Sequence, residues 1–172
     1  AGRTDAGVHA SGQVVAFDTK SPLGTQKFVS GLNFYLPEDI GVRAAYVVEK
    51  DFHPRRNALS RKYSYTVLNS VVPSPLLRRA VHVVHEDMKV ISMQRGAKLL
   101  VGMHDFGNFT GSLGDERSTT MGNIFNASVR KEGDIVTFDV EARSFLTHQV
   151  RRMAGSLVDI GLGRLTLEEF QL

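Results

Sequence analysis

Ile135-Val136-Thr137-Phe138-Asp139-Val140-Glu141 is the clearest piece of secondary structure in this chain. Val136, Phe138 and Val140 alternate with Thr137, Asp139 and Glu141, the period-two pattern of a strand with one face buried and the other wet. Ile124 to Arg130 reads as a partner strand, and Lys131-Glu132-Gly133-Asp134 between them is a polar turn containing glycine. The two make a half-buried antiparallel hairpin. Downstream, residues from about Phe145 to Ile160 form a helix with Val150, Met153, Ala154, Leu157 and Val158 on one face, core residues by default. Upstream, Val90, Met93, Ala97 and Leu100 give a helix over about Met88 to Leu100, with Asp87 as N-cap and Gly102 as terminator. Lys62 to Leu68 alternates Tyr63, Tyr65 and Val67 against Lys62, Ser64 and Thr66, and Pro73-Ser74-Pro75 is a loop. Nearer the start, Gly12 to Asp18 and Val42 to Val48 read as strands, and Thr25 to Phe34 as a short helix stopped before Leu36-Pro37. Hairpins with few parallel crossovers define an α+β class: an antiparallel sheet with helices on one face.

The chain has 172 residues, 42% hydrophobic and 23% charged, enough for a real core and near the globular averages. No repeat, low-complexity tract or linker divides it. It has no cysteine, which excludes disulfides, cysteine nucleophiles and thiolate metal sites and suits a reducing compartment. No apolar run reaches the roughly 18 residues of a membrane span, and the start lacks a signal-peptide stretch. The expected setting is soluble and cytoplasmic. Net charge is +3, and the basic residues come in pairs: Arg55-Arg56, Arg61-Lys62, Arg78-Arg79, Arg130-Lys131 and Arg151-Arg152. One such pair is often only a solvated face; five point to a basic groove for a polyanion. The chain starts without Met and stops at Glu168-Glu169-Phe170-Gln171-Leu172, which reads as the middle of an amphipathic helix. Both ends read as cut from a longer protein.

Few residues can carry chemistry. The six histidines, His9, His53, His82, His85, His104 and His148, form no HxH or HxxxH pair, so no metal site is expected. Phosphate-cradling glycine motifs and Gly-x-Ser-x-Gly are absent, which argues against a nucleotide cofactor and a hydrolase elbow. One segment stands apart: Gly2-Arg3-Thr4-Asp5-Ala6-Gly7-Val8-His9-Ala10. Its glycines let backbone approach a ligand or take positive φ, and an arginine near a carboxylate keeps it ionised. The same residues could equally make an Asx-type turn with a surface Arg3–Asp5 ion pair.

This segment, followed by Gly12-Gln13-Val14-Val15, closely resembles the catalytic motif of TruA-type tRNA pseudouridine synthases. Further parts of that family's pattern follow in order. They are Leu32-Asn33 with Leu36-Pro37-Glu38-Asp39-Ile40, and Asp51-Phe52-His53-Pro54-Arg55 with Arg61-Lys62-Tyr63-Ser64-Tyr65. Gly102-Met103-His104-Asp105-Phe106 with Phe109 comes next, then Phe145-Leu146-Thr147-His148-Gln149-Val150-Arg151 with Gly155-Ser156-Leu157. The resemblance spans essentially the whole chain. It implies isomerisation of uridine to pseudouridine in tRNA, at the anticodon stem-loop around positions 38–40, with no metal or organic cofactor. It also implies a homodimer that grips tRNA through basic surfaces. Two ferredoxin-like halves would share the sheet, here about residues 1–68 and 69–172, with the active-site cleft between them.

By the same resemblance Asp5 is the nucleophile, attacking the uracil ring or the ribose C1′. Tyr63 stacks on the extruded base, and Arg151 pairs with Asp5. Arg3, His9, Arg55, Arg61 and His148 are expected to contact RNA. Physical chemistry agrees: a carboxylate nucleophile must be ionised, and extruding a base costs a few kcal/mol that an aromatic face partly returns. Alternatives stand beside these roles. Tyr63 could be a packing residue with Tyr65 in its place, Arg152 competes with Arg151, and either His9 or His148 could be purely structural. The family's Tyr-Asp-Gly-Thr strand would precede Ala1, and a further strand would follow Leu172. An arginine usual near Thr119 is replaced by Thr120-Met121-Gly122. These departures leave a second expectation, a catalytically inactive RNA-binding module.

Overall fold

The computed structural model describes residues 4–110 and 119–170, which divide into two units, Ala1–Ala58 and Leu59–Leu172. Among its described residues the larger unit has five strands: β1 (Arg61–Asn69), β2 (His82–Val84), β3 (Gly102–Asp105), β4 (Met121–Glu132) and β5 (Ile135–Ala142). They lie in the order β2-β1-β5-β4-β3. The hairpin read from the sequence is the centre of this sheet, longer at both ends than its hydrophobic alternation alone indicates. Its turn needs Gly133, whose φ of 56° is in the left-handed region. β1 lies antiparallel to β5, pairing Tyr63 with Val140, Tyr65 with Phe138 and Val67 with Val136. This register puts all six on one face.

Helices α2 (Val90–Leu99) and α3 (Gln149–Gly161) pack against each other beside the sheet. Their apolar faces meet Val136, Phe138, Val140, Ile124 and Val129 in one core. Helix α2 passes close to α3 at Gly96. A Cβ there would lie 2.9 Å from Ile160 Cδ1 and 3.0 Å from Leu157 Cδ2. The α+β class stands, with one change: β2 runs parallel to β1. A parallel neighbour needs a crossover of about a dozen residues, which the segment 70–81 supplies.

Several boundaries move for identifiable reasons. α2 starts after Lys89, not at Asp87, because the Lys89 amide donates to the Gly161 carbonyl (2.8 Å) and so belongs to the α2–α3 junction. α3 starts at Gln149 rather than near Phe145, because His148 has φ 60° and a left-handed residue cannot continue a right-handed helix. Thr166 and Glu169 bond reciprocally, side chain to backbone, as a capping box (2.9 and 3.2 Å). Residues 167–169 form a turn there, not a helix; Gln171 and Leu172 lie outside the described residues.

Among its described residues the smaller unit contains one helix, α1 (Thr25–Tyr35), ending before Leu36-Pro37 as the sequence indicates. The stretches 12–18 and 42–48, expected as strands, have no ladder partner among the described residues and are not strands. Alternation favours an extended chain, but a strand exists only when a neighbour takes its hydrogen bonds. In place of a ladder, the Asn33 side chain brackets Val42, donating to its carbonyl (2.9 Å) and accepting from its amide (2.7 Å).

Candidate active site

In the larger unit the expected residues converge where β1 begins, β5 ends and α3 begins. Tyr63 points from β1 toward Phe145, their rings edge to face at 5.4 Å and 84°, the geometry aromatic pairs prefer. Tyr65, two residues on, turns instead toward the outer strand. Its hydroxyl is 3.3 Å from His82 Nδ1. Burial raises the Tyr65 pKa, and the nearby positive charge of Arg151 opposes that rise. The two tyrosines therefore have different partners, Tyr63 with Phe145 and Tyr65 with His82 of β2.

The arginines of α3 separate in the same way. Arg152 donates to the Thr110 carbonyl (2.9 Å), tying the helix to the segment after Phe109. Arg151 is exposed and near enough to Tyr65 to act on its ionisation. His148 forms the left-handed corner just before the helix. Such a backbone in a non-glycine residue costs on the order of 1–3 kcal/mol and persists only where its surroundings enforce it.

Gln149 is part of that enforcement. It is 3% exposed, and its Oε1 accepts from the Leu146 amide (2.7 Å). Arg61, expected to contact RNA, donates its guanidinium to the carbonyl of Arg143 at the end of β5. Sequence reasoning missed both connections. The signal for Gln149 was present, a polar residue in helical phase with Met153 and Leu157 on the buried face.

The smaller unit carries the other residues. The Val8 amide donates to the Asp5 carbonyl (3.2 Å), closing a turn through Ala6 and Gly7. Gly7 has φ 79°, so a glycine is needed there. Asp5 and His9 are exposed on either side of this turn. Arg55 is exposed at the edge of a second turn, where His53 Nδ1 accepts from the amides of Arg55 (3.2 Å) and Arg56 (3.3 Å). Arg3 lies outside the described residues. Among the described residues no cluster of three or more His, Asp or Glu could hold a metal ion, and no helix is long and apolar enough to cross a membrane.

A mixed sheet packed with two helices, with an edge-to-face aromatic pair where β1 begins, defines an α+β protein. Comparison with known proteins identifies the class. The family model for tRNA pseudouridine synthase matches residues 97–172. The chain is 42% identical over 168 residues to tRNA pseudouridine synthase A of Shewanella amazonensis, covering 98% of this chain and 64% of that protein. It is 40% identical over 162 residues to the Pseudoalteromonas translucida protein of the same name (94% and 61%). With that of Acetivibrio thermocellus it shares 38% over 169 residues (98% and 69%). The chain belongs to the tRNA pseudouridine synthase A family, and it spans just under two thirds of the length of the first two relatives.

Proposed function

We propose that this chain is the catalytic region of a tRNA pseudouridine synthase, an isomerase that converts uridine to pseudouridine in the anticodon stem-loop of tRNA. The observation that carries this reading is the Tyr63–Phe145 pair, with Arg151 exposed on α3 and close to Tyr65, two residues further along the same strand. An extruded uracil needs an aromatic face to stack on, and its phosphates and the nucleophile need a guanidinium. Asp5 is the proposed nucleophile. Its carboxylate adds to uracil C6 or to ribose C1′, the N1–C1′ bond breaks, the base turns, C5 bonds to C1′, and the bond to the carboxylate breaks to return Asp5 as a free carboxylate. The C5 proton leaves to solvent and N1 takes one up, so atoms balance with no oxidant or cofactor. The turn at Gly7 supports this role by presenting Asp5 at the surface on a backbone that other residues resist.

Arg3, His9, Arg55 and His148 are proposed to contact RNA, the arginines as phosphate anchors that position without specifying sequence. The working form is taken to be a cytoplasmic homodimer, which sedimentation of the purified chain checks. The test of the function is tritium release from C5-labelled uridine in tRNA. We expect release by the unmutated chain and none above background from Asp5→Asn. Release that survives Asp5→Asn would remove that residue from its role. Salt-sensitive tRNA binding without any release would leave an RNA-binding module instead.

A further inference from the structure

We infer that Arg61 is a positioning residue rather than an RNA contact: fixed on the Arg143 carbonyl, it holds the segment 143–148 so that Phe145 sets the ring of Tyr63. The inference rests on the proposed isomerase reading only for its expected effect on turnover; the contacts themselves lie within the larger unit. Three polar attachments hold this short segment. Arg61 takes the Arg143 carbonyl at its start, the buried Gln149 side chain takes the Leu146 amide in its middle (2.7 Å), and the Thr110 hydroxyl reaches the Thr147 carbonyl at its end (3.5 Å). Between the first two attachments sits Phe145, edge-on to Tyr63. The last residue, His148, has positive φ and opens the helix that carries Arg151.

Arg61 is also the first residue of β1, two positions from Tyr63, and pairs across the sheet with Ala142. One side chain thus links the strand bearing Tyr63 to the turn bearing its aromatic partner. Arginine suits the task because its planar fork meets a carbonyl at a fixed angle, whereas a lysine is a mobile point charge. A site loosened by about 1 Å can lose on the order of a hundredfold in rate.

The test uses the whole chain with ring-labelled tyrosine and phenylalanine, in unmutated form and as Arg61→Gln and Arg61→Lys. In each, the Tyr63–Phe145 ring contact is read by NMR, and tRNA affinity is read across a salt series. We expect both variants to lose the ring contact while the Tyr65–His82 contact persists. The salt slope of tRNA binding should stay unchanged, and any turnover should fall about 10- to 100-fold in kcat with KM nearly constant. A preserved ring contact, or a salt slope smaller by about one in Arg61→Gln but restored in Arg61→Lys, would overturn the inference and make Arg61 a phosphate contact. If Arg61→Gln does not fold, the more conservative Arg61→Lys decides by the ring contact alone, its loss supporting the inference and its retention overturning it. No turnover in the unmutated chain counts against the isomerase reading alone, because neither the ring contact nor the salt slope depends on turnover.

Discussion

Tyr63 and Tyr65 share a face of β1, but only one meets Phe145, and the difference can be measured. Tyr63→Ala removes a stacking face worth about 1–3 kcal/mol per base, so uridine turnover should drop roughly 5- to 150-fold in the tritium assay. Tyr65→Phe should act on stability instead. Burial raises its pKa above the ordinary tyrosine value, so the folded chain keeps the Tyr65 proton to higher pH than the unfolded chain. That contribution is complete below about pH 10 and is lost as pH rises through the folded value. Urea midpoints from about pH 8 to about pH 11 should fall less steeply for Tyr65→Phe than for the unmutated chain, and parallel slopes would refute the assignment. Asp5, Tyr63 and Arg151 became candidates from the sequence because each stands in a recognisable motif. The attachments made by Arg61 and Gln149 could not. One uses a backbone carbonyl 82 residues away, which no local pattern encodes, and the other depends on which helical face is buried.

Among the elements, the α2–α3 contact offers the sharpest test of packing. Leu157 is fully buried, so Leu157→Ala should cost about 2–5 kcal/mol, read as a lowered unfolding midpoint. Gly96→Ala puts a methyl group against Ile160 Cδ1 (2.9 Å) and Leu157 Cδ2 (3.0 Å), and Leu157→Ala removes the second of these. In combination with Leu157→Ala that methyl enters the vacated volume, so the double variant should be more stable than the sum of the two single changes indicates. Strict additivity would show that the helices re-pack independently. The long elements of the larger unit were legible because their apolar periods are continuous, as in β5 and α3, whereas the four residues of β3 were read only as the end of the preceding helix. Those of the smaller unit were only half legible. Helix α1 makes its own hydrogen bonds, whereas 12–18 and 42–48 depend on a partner strand that their own residues cannot specify. The parallel β1–β2 pair was hidden for a related reason, since strand direction is fixed by the connection and not by the three residues of β2.

For the whole molecule, the two units differ in how they hold their residues. No described residue from 4 to 58 is buried, and Phe34, Tyr46 and Val47 are more than 80% exposed. The core lies in the larger unit. Amide exchange should therefore be slow in β1, β4, β5, α2 and α3 and fast through 12–18 and 42–48; comparable protection in those two stretches would contradict this. If the basic residues meet phosphate, tRNA affinity should fall linearly with the logarithm of salt concentration, and Arg55→Gln should make that slope shallower by about one. The register of the sheet also sets an order of events in time. β4 and β5 are joined by a tight turn and can zip within microseconds, but β1 must find β5 across a chain segment that pairs Arg61 with Ala142. Closing so long a loop is entropically slow. The strand bearing Tyr63 should thus be among the last to dock, and a newly made chain should hold a formed hairpin before it holds a working site. In pulse-labelled refolding, β1 amides protected as early as those of β5 would rule out that sequence.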